Sequence, residues 1–381
     1  MSYIVKPLET AGKEGLIMVS GDGVARQCFP ILAAYVGDYP EQLLVSLIKT
    51  GECPVCDSPR GGIGDLENTS EPRNIIPILE ALESIAEGPR IFTAACAEAG
   101  IKPIQCPFWK NLPFVNIYNS ITPDILHQLY QGVIKHLLQW LQTACSKAEI
   151  DARCHRLPPN HNIRLFLKGI THLSRVAGTE HDQICRFIIG LIINIQLPDG
   201  YSNARLVRAV RATLDFLYLA KYPIHSSDTL DSLEEALRAF HEDRSIFIDL
   251  GIRSNFNIPK LHSMGHYRHF IERFGTLDNF NTEYTERLHI DLAKDAYRAT
   301  NSKDEYPQMT TWLDRQEKIM LHEKFIRRCQ EASQGLPSFP RVLPSLIPSR
   351  SQRMAKHPTH KAVPLSTIQD NYGARDFDAA L

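Results

Sequence analysis

Residues 51–57 read GECPVCD, and what their two cysteines do decides how this chain is put together. Two cysteines with two residues between them make half of a tetrahedral zinc site. The stretch KLHSMGHYRHF (260–270) offers another half, with His262 and His266 at i and i+4 and Pro259 near the helix start. Side chains four apart on a helix face the same way, because 3.6 residues make a turn. Cys53, Cys56, His262 and His266 would then form a Cys2His2 set that staples the front of the chain to a late helix, with residues 60–255 looped out between. Closing so long a loop is no obstacle, since the entropic cost grows only with the logarithm of length. The same residues also fit a chance CxxC beside an ordinary surface His pair, and Cys154-His155 is a rival partner for the cysteines.

The nine cysteines lie at 28, 53, 56, 96, 106, 145, 154, 185 and 329. No secretory leader opens the sequence, so reduced thiols inside a cell are expected rather than a disulfide framework. With 381 residues, 43% of them hydrophobic, a sizeable core and two or three domains are expected. The formal net charge is −1, so any grip on nucleic acid comes from local patches. The longest apolar run, FIIGLIINI (187–195), is short of a membrane span. A soluble intracellular protein is the expectation.

Along the chain, residues 3–19 read as an amphipathic helix, a start that suits either a complete helical chain or a piece of something larger. FPILAAYVGD (29–38) reads as a strand buried on both faces. From about 74 to 250 helices dominate. ITPDILHQLYQGVIKHLLQWL (121–141) opens with Thr122 as cap and Pro123 in the first turn, and Ile125, Leu129, Val133, Leu137 and Leu141 recur every four residues. RLVRAVRATLDFLYLAKYP (205–223) repeats the pattern with Leu206, Val210, Leu214 and Leu217, while HDQICRFIIGLIINIQLP (181–198) should lie deep. Three more helices are expected within 256–330. Arg205, Arg208 and Arg211 make a ridge that suits DNA phosphates or, more blandly, solvent. After 333 the chain is Pro/Ser-rich, with five Lys or Arg and no acid between Arg341 and Lys361. A mobile basic tail is expected there.

The blocks GVARQCFPILAAYVGDYPEQ (23–42), CPVC (53–56), PDILHQLYQGVIKHLL (123–138), IPKLHSMGHY (258–267) and NTEYTERLHIDLAKDAYRATN (281–301) together resemble the Plavaka-type transposases of fungal genomes. That family belongs with the CACTA group of cut-and-paste DDE transposases. The resemblance runs from about residue 3 to 330. It implies a mainly α chain with a small β remnant, an incomplete RNase H-like core interrupted by a large all-helical insertion. Residues 1–60 would be part of that core with the second acid and the CxxC, and 61–255 the insertion. Residues 256–332 would be the C-terminal helices of the core with the His pair and the third acid, and 333–381 the mobile tail.

In such enzymes three carboxylates hold two Mg²⁺ ions for in-line phosphodiester cleavage and strand transfer at the element ends. Carried over by position, the second acid is Asp38 and the third is Glu286, with Glu283 as its rival. Asp124 and His127 match a D-x-x-H element that helps handle the DNA strand. Each has an ordinary reading as well. Asp38 and Glu41 would make a capping box, Asp124 suits any helix first turn, and acids sit comfortably at a half-exposed helix start. The related V(D)J recombinase is similar in placing zinc between a CxxC after its second acid and a His pair before its last. The first acid belongs on a strand upstream of the helix where this chain begins, and Asp22 in SGDGV does not replace it. The expectation is therefore an N-terminally truncated, inactive remnant. Zinc would be structural, Mg²⁺ would belong to the intact enzyme, and transposon-end DNA would be the partner. A nucleus, no membrane and an assembly of several copies complete that expectation. The alternative is a non-catalytic, zinc-stapled helical protein that binds DNA or a protein partner.

Overall fold

The structure, a computed structural model, describes residues 1–65, 70–174 and 176–333, with side chains as far as residue 330. One compact unit is Met1–Lys294, and a second begins at Asp295. The described residues are mainly helical, with one two-stranded sheet. The tail expected after 333 lies outside the described residues, and no described helix is long and apolar enough to cross a membrane.

Helix α1 (Ser2–Glu14) stops at Gly15, whose φ of 81° a glycine adopts freely. The apolar run behind it, β1 (Leu16–Val19), pairs antiparallel with β2 (Ala25–Cys28), Leu16 opposite Cys28. This corrects the helix expected over 3–19. The LIMV stretch, with β-branched Ile17 and Val19, prefers a pleated conformation once the glycine has broken the helix. Asp22 closes the hairpin turn by accepting from the Val24 N–H and pairing with Arg26. FPILAAYVGD is also corrected: it runs extended but joins no sheet, and it is not buried on both faces, since Phe29 and Ile31 are exposed. Its one backbone bridge is Tyr35 to Ile121, in parallel, with Tyr35 N–H donating to Ser120 O (2.7 Å). Pro30 and Pro40 remove ladder donors from the stretch and its exit.

Two hydrophobic cores fill the first unit. The smaller gathers α2 (Tyr39–Val45), α3 (Ile75–Glu83) and α4 (Pro89–Glu98) around Trp109 and Tyr118. Both buried aromatics place their polar tips, Trp109 Nε1 on Val45 O (2.7 Å) and Tyr118 OH on Ser46 O (3.0 Å). The larger core is built from a π-helix, Ile125–Ile134, running straight into α5 (Lys135–Ala144). Around it pack α6 (Lys147–His155), α7 (Gly178–Cys185), α8 (Ile188–Ile192), α9 (Asn203–Ala220), α10 (Ser227–Asp243) and α11 (Ile246–Asp249). The later part of the unit adds α12 (Pro259–His262), a 3-10 turn Ser263–His266, α13 (Tyr267–Phe274) and α14 (Thr282–His289).

The spacing-based expectations hold here. Ile125, Leu129, Val133, Leu137 and Leu141 are all buried, as are Leu206, Val210, Leu214 and Leu217. Each such side chain contributes about 1.5–3 kcal/mol by leaving water. The cap of the 125 helix is Asp124 rather than Thr122, because the Asp124 carboxylate accepts from the His127 N–H. The second unit holds α15 (Asp295–Arg298) and α16 (Glu305–Ser333). The three late helices are thus present, the middle one loosened by a π segment at Ile290–Lys294.

Candidate metal centre and acid cluster

Two short constructions bring the four expected metal ligands together. The first is a knuckle: Val55 N–H points at Cys53 Sγ (3.4 Å), and Arg73 Nε donates to Cys53 O (2.8 Å). Arg73 N–H to Val55 O (3.1 Å) and Asp57 N–H to Glu71 O (3.1 Å) tie the knuckle to the chain returning from its loop. Val55 packs against both hydrophobic cores, so the knuckle sits at their junction. The second construction is the α12 end and the 3-10 turn, which stack His262 and His266 one turn apart, begun by Pro259.

Cys53 Sγ lies 3.3 Å from His266 Nε2, Cys56 Sγ lies 3.0 Å from His262 Nε2, and the two Nε2 atoms are 3.2 Å apart. All four ligand atoms fall within 4.8 Å of one another. Zinc–sulfur and zinc–nitrogen bonds in a tetrahedron set ligand atoms about 3.3–3.8 Å apart, so these three contacts lie at or just below the spacing an ion would impose. Both cysteines are buried. A hydrogen bond with the Cys53 thiol, helped by His262 and His266, pulls the Cys56 thiol far down, while burial pushes Cys53 up. Two soft thiolates and two imidazoles converging on one point fit zinc. Four protein ligands leave no open position, so the ion would be structural.

A second cluster forms at the start of the π-helix. Asp124 is fully buried, and its carboxylate accepts four hydrogen bonds. Oδ2 takes the His127 N–H (2.7 Å) and His127 Nδ1 (2.8 Å), and Oδ1 takes the Thr282 N–H (3.1 Å) and Thr282 Oγ1 (2.7 Å). Burial alone would raise the Asp124 pKa, yet the bonds from His127 and Thr282 carry it below the usual carboxylate range. On the other edge of the same imidazole, His127 Nε2 meets Glu286 Oε1 at 3.0 Å. The His127 pKa is raised, first by the Asp124 hydrogen bond, then by the charges of Asp124, Glu286 and Asp38, against the opposing effect of burial.

Asp38 caps α2 by accepting from the Glu41 N–H (2.9 Å), the local role its position allows, while its charge still reaches His127 and Lys260. The buried Gln42 amide fastens that turn to the Asp124 segment by donating to Gly37 O (3.0 Å) and Thr122 O (2.9 Å). Glu286 faces His127, whereas Glu283 bonds Asn281 at its own helix start. Arg205, Arg208 and Arg211 are each paired with an acid: Asp249 (2.5 Å), Asp243 (2.8 Å) and Asp215 (3.4 Å). A phosphate on that ridge would have to displace them.

Three contributors were not singled out by sequence reasoning: Lys260, Thr282 and Tyr267. Lys260 Nζ donates to His127 O (2.9 Å), and Tyr267 OH donates to Asp124 O (3.0 Å). Gly132 makes the Lys260 approach workable, since a Cβ there would come within 2.5 Å of the lysine Cδ. Lys260 and Tyr267 flank the candidate ligands His262 and His266 in IPKLHSMGHY, and Thr282 follows the Asn281 cap, so each stood inside a stretch already read for something else.

Residues 1–141 match the family model described as Plavaka transposase. That part of the chain is similar to Plavaka transposases. The matched residues include Asp38, Cys53, Cys56, Asp124 and His127. The curated proteins compared gave no match.

The raised His127 pKa has a consequence for stability. A group titrating higher in the folded chain stabilises it fully below the unfolded value of 6.5, and that contribution is lost as pH climbs through the folded value. The urea midpoint of the wild type should therefore exceed that of His127→Gln by a margin that shrinks from about pH 6 to 8. A margin constant with pH would make His127 a neutral hydrogen-bonding group.

Proposed function

We propose that this Plavaka-type chain carries two of the carboxylates of a metal-dependent DNA strand-transfer site, Asp38 and Glu286, on a zinc-stapled scaffold. The observation that carries the reading is that acids from opposite ends of the first unit act on one imidazole, Glu286 by contact and Asp38 by charge. The extended stretch leading to Asp38, bridged in parallel at Tyr35–Ile121, supports a reading of it as part of an RNase H-like core. Mg²⁺ bound by such acids would activate a nucleophile and stabilise a leaving oxygen at a DNA phosphate. Of the chain's own groups, His127 and Lys260 set the local charge, and Asp124 holds the imidazole. Two-metal sites of this kind use three acids, so strand transfer by these residues alone is not expected. Work on transposon ends would place the protein on nuclear DNA, in more than one copy.

The second reading is a binding protein without chemistry. It is favoured by the His127 imidazole, which already sits between Asp124 and Glu286 where a cation would compete. Glu286→Gln separates the two. On the first reading, Mn²⁺ titrated by calorimetry binds the zinc-loaded wild type and the variant loses about tenfold or more in affinity, while DNA affinity at low salt stays. Equal Mn²⁺ affinity in both proteins removes Glu286 from any metal site and leaves the binder. Absence of DNA binding at micromolar concentration and low salt would sink both DNA readings.

A further inference from the structure

We propose that Lys135, Arg253 and Lys260 form a phosphate track that holds the backbone of a DNA strand beside the acid cluster. The inference rests on the reading above for the identity of the polyanion, and on side-chain positions for the track itself. Gly132, His136 and Trp140 follow at four-residue steps along the π-helix and α5, so they share one stripe of a continuous helix. Residues 253–260 cross that stripe with a cation at each end. At one end the Lys260 stem lies against Gly132, and Lys260 Nζ donates to His127 O (2.9 Å). At the other, the Arg253 guanidinium lies over the Trp140 ring, 5.9 Å from its centroid, and Arg253 Nε donates to Asn255 O (3.2 Å). His136, midway along the stripe, stacks on the same tryptophan (centroids 6.1 Å apart). Trp140 is itself buried against Phe247 and Phe256, which fixes the platform.

What marks this row as a binding surface is positive charge without partners. Burial holds the His136 pKa below its ordinary value, and the charges of Lys260, Arg253 and Lys135 push it the same way. The three cations therefore lie close enough to act on one ring. Neither Lys135 nor Arg253 forms an ion pair among the described residues, whereas Arg205, Arg208 and Arg211 each have an acid. Lys135 is exposed, and His136, Arg253 and Lys260 are partly so, which lets an anion reach the row from solvent. Like charges gathered in a half-buried place without a counter-charge are destabilising, and a bound anion removes that penalty.

The layout names the class of ligand. From Gly132 to Trp140 the helix rises by about 12 Å, so the cations make a row rather than a cup around one small anion. A guanidinium and two ammonium groups set along such a row suit successive phosphates of a chain. Lys260 joins the row to the acid cluster: it bonds His127 O, and the His127 imidazole meets Glu286. A strand leaving the cluster would lie along the row. Contacts of this kind add affinity and fix register without reading sequence.

The test uses the full zinc-loaded chain and single-stranded oligonucleotides of about twelve nucleotides, read by fluorescence anisotropy over a series of salt concentrations. Lys135→Gln, an exposed change that spares the core, and Arg253→Gln should each lower the slope of log affinity against log salt by about 0.7. The weakening should be the same for strands of different sequence. Arg253→Lys keeps the charge and should keep most of the slope, which a purely structural arginine over Trp140 would not require. If wild type binds strands and neither the single changes nor the double one moves the slope, the track is overturned while the DNA reading stands. If Arg208→Gln and Arg211→Gln lower the slope instead, the strand follows α9 and the track is likewise overturned. If no strand binds wild type, the DNA reading falls. Titration with inorganic phosphate, followed on the His136 ring protons, then decides the row: saturable shifts that vanish in the double variant support an anion site, and unshifted signals overturn it.

Discussion

Purified chain is expected to hold one zinc per molecule, and stripping that ion is expected to lower the melting temperature by roughly 10 °C or more. The cross-link explains the size of the effect. Cys53 and His266 are 213 residues apart in sequence, and Cys56 and His262 are 206 apart, so the ion would close most of the first unit into a loop. The knuckle has almost no core of its own: Cys53, Cys56 and Ile63, with Val55 against them, make up its apolar cluster. Without metal, buried thiols and imidazoles are left to satisfy one another with weak sulfur hydrogen bonds. Structural zinc is worth about 10–16 kcal/mol in small zinc domains, whereas whole domains are stable by only about 5–15. Here two hydrophobic cores persist without it, so partial loss with retained helix is the expected outcome. Cys53→Ser should reproduce the loss, and added zinc should not rescue it. Metal analysis by atomic absorption, with circular-dichroism melts before and after chelation, checks this. A metal-free chain melting at the same temperature would reduce the quartet to a hydrogen-bonded knot.

The quartet was legible because its signal is local twice over: C-x-x-C and H-x-x-x-H are spacings that backbone geometry turns directly into shared faces. Spacing alone left the joining of the halves open, with Cys154-His155 as a rival, and the resemblance to the V(D)J recombinase arrangement favoured the quartet. The helical core was legible for the same reason, the four-residue recurrence at 125–141 and 206–217 becoming buried stripes. The FPILAAYVGD stretch misled because an apolar run fixes neither pairing nor burial: Phe29 and Ile31 stay about half exposed. Whether such a run joins a sheet depends on the strands offered to it, and here Ile121 offers a single bridge. LIMV misled in the opposite way, since a helix pattern was continued through Gly15. Lys260 and Thr282 were invisible because their partners are tertiary: the His127 carbonyl and the Asp124 carboxylate lie more than a hundred residues away. A lysine stem laid over a glycine, as at Gly132, leaves no periodic trace.

Asp124→Ala is expected to destabilise the chain by about 3–5 kcal/mol, the cost of breaking a buried ionic network from one side. The carboxylate it removes accepts from His127 twice and from Thr282 twice, and all four donors would be left facing an apolar hole. Two of those bonds start helices: the His127 N–H belongs to the first turn of the π-helix, and the Thr282 N–H opens α14. Removing the acid therefore frees both helix ends that bring Glu286 to His127. Asp124→Asn keeps the shape and can still accept from Thr282, but its amide cannot take both His127 donors, so about half the loss is expected. Thr282→Val removes the facing hydroxyl, and the double variant should lose less than the sum of the singles, because the two changes break one network. Urea unfolding of the zinc-loaded proteins gives these differences directly. The result bears on function as much as on stability. Non-additive losses of this size would make Asp124 the residue that positions the imidazole, as its complete burial argues. An Asp124→Ala protein with the wild-type midpoint but weakened DNA or Mn²⁺ binding would instead place its carboxylate in the chemistry.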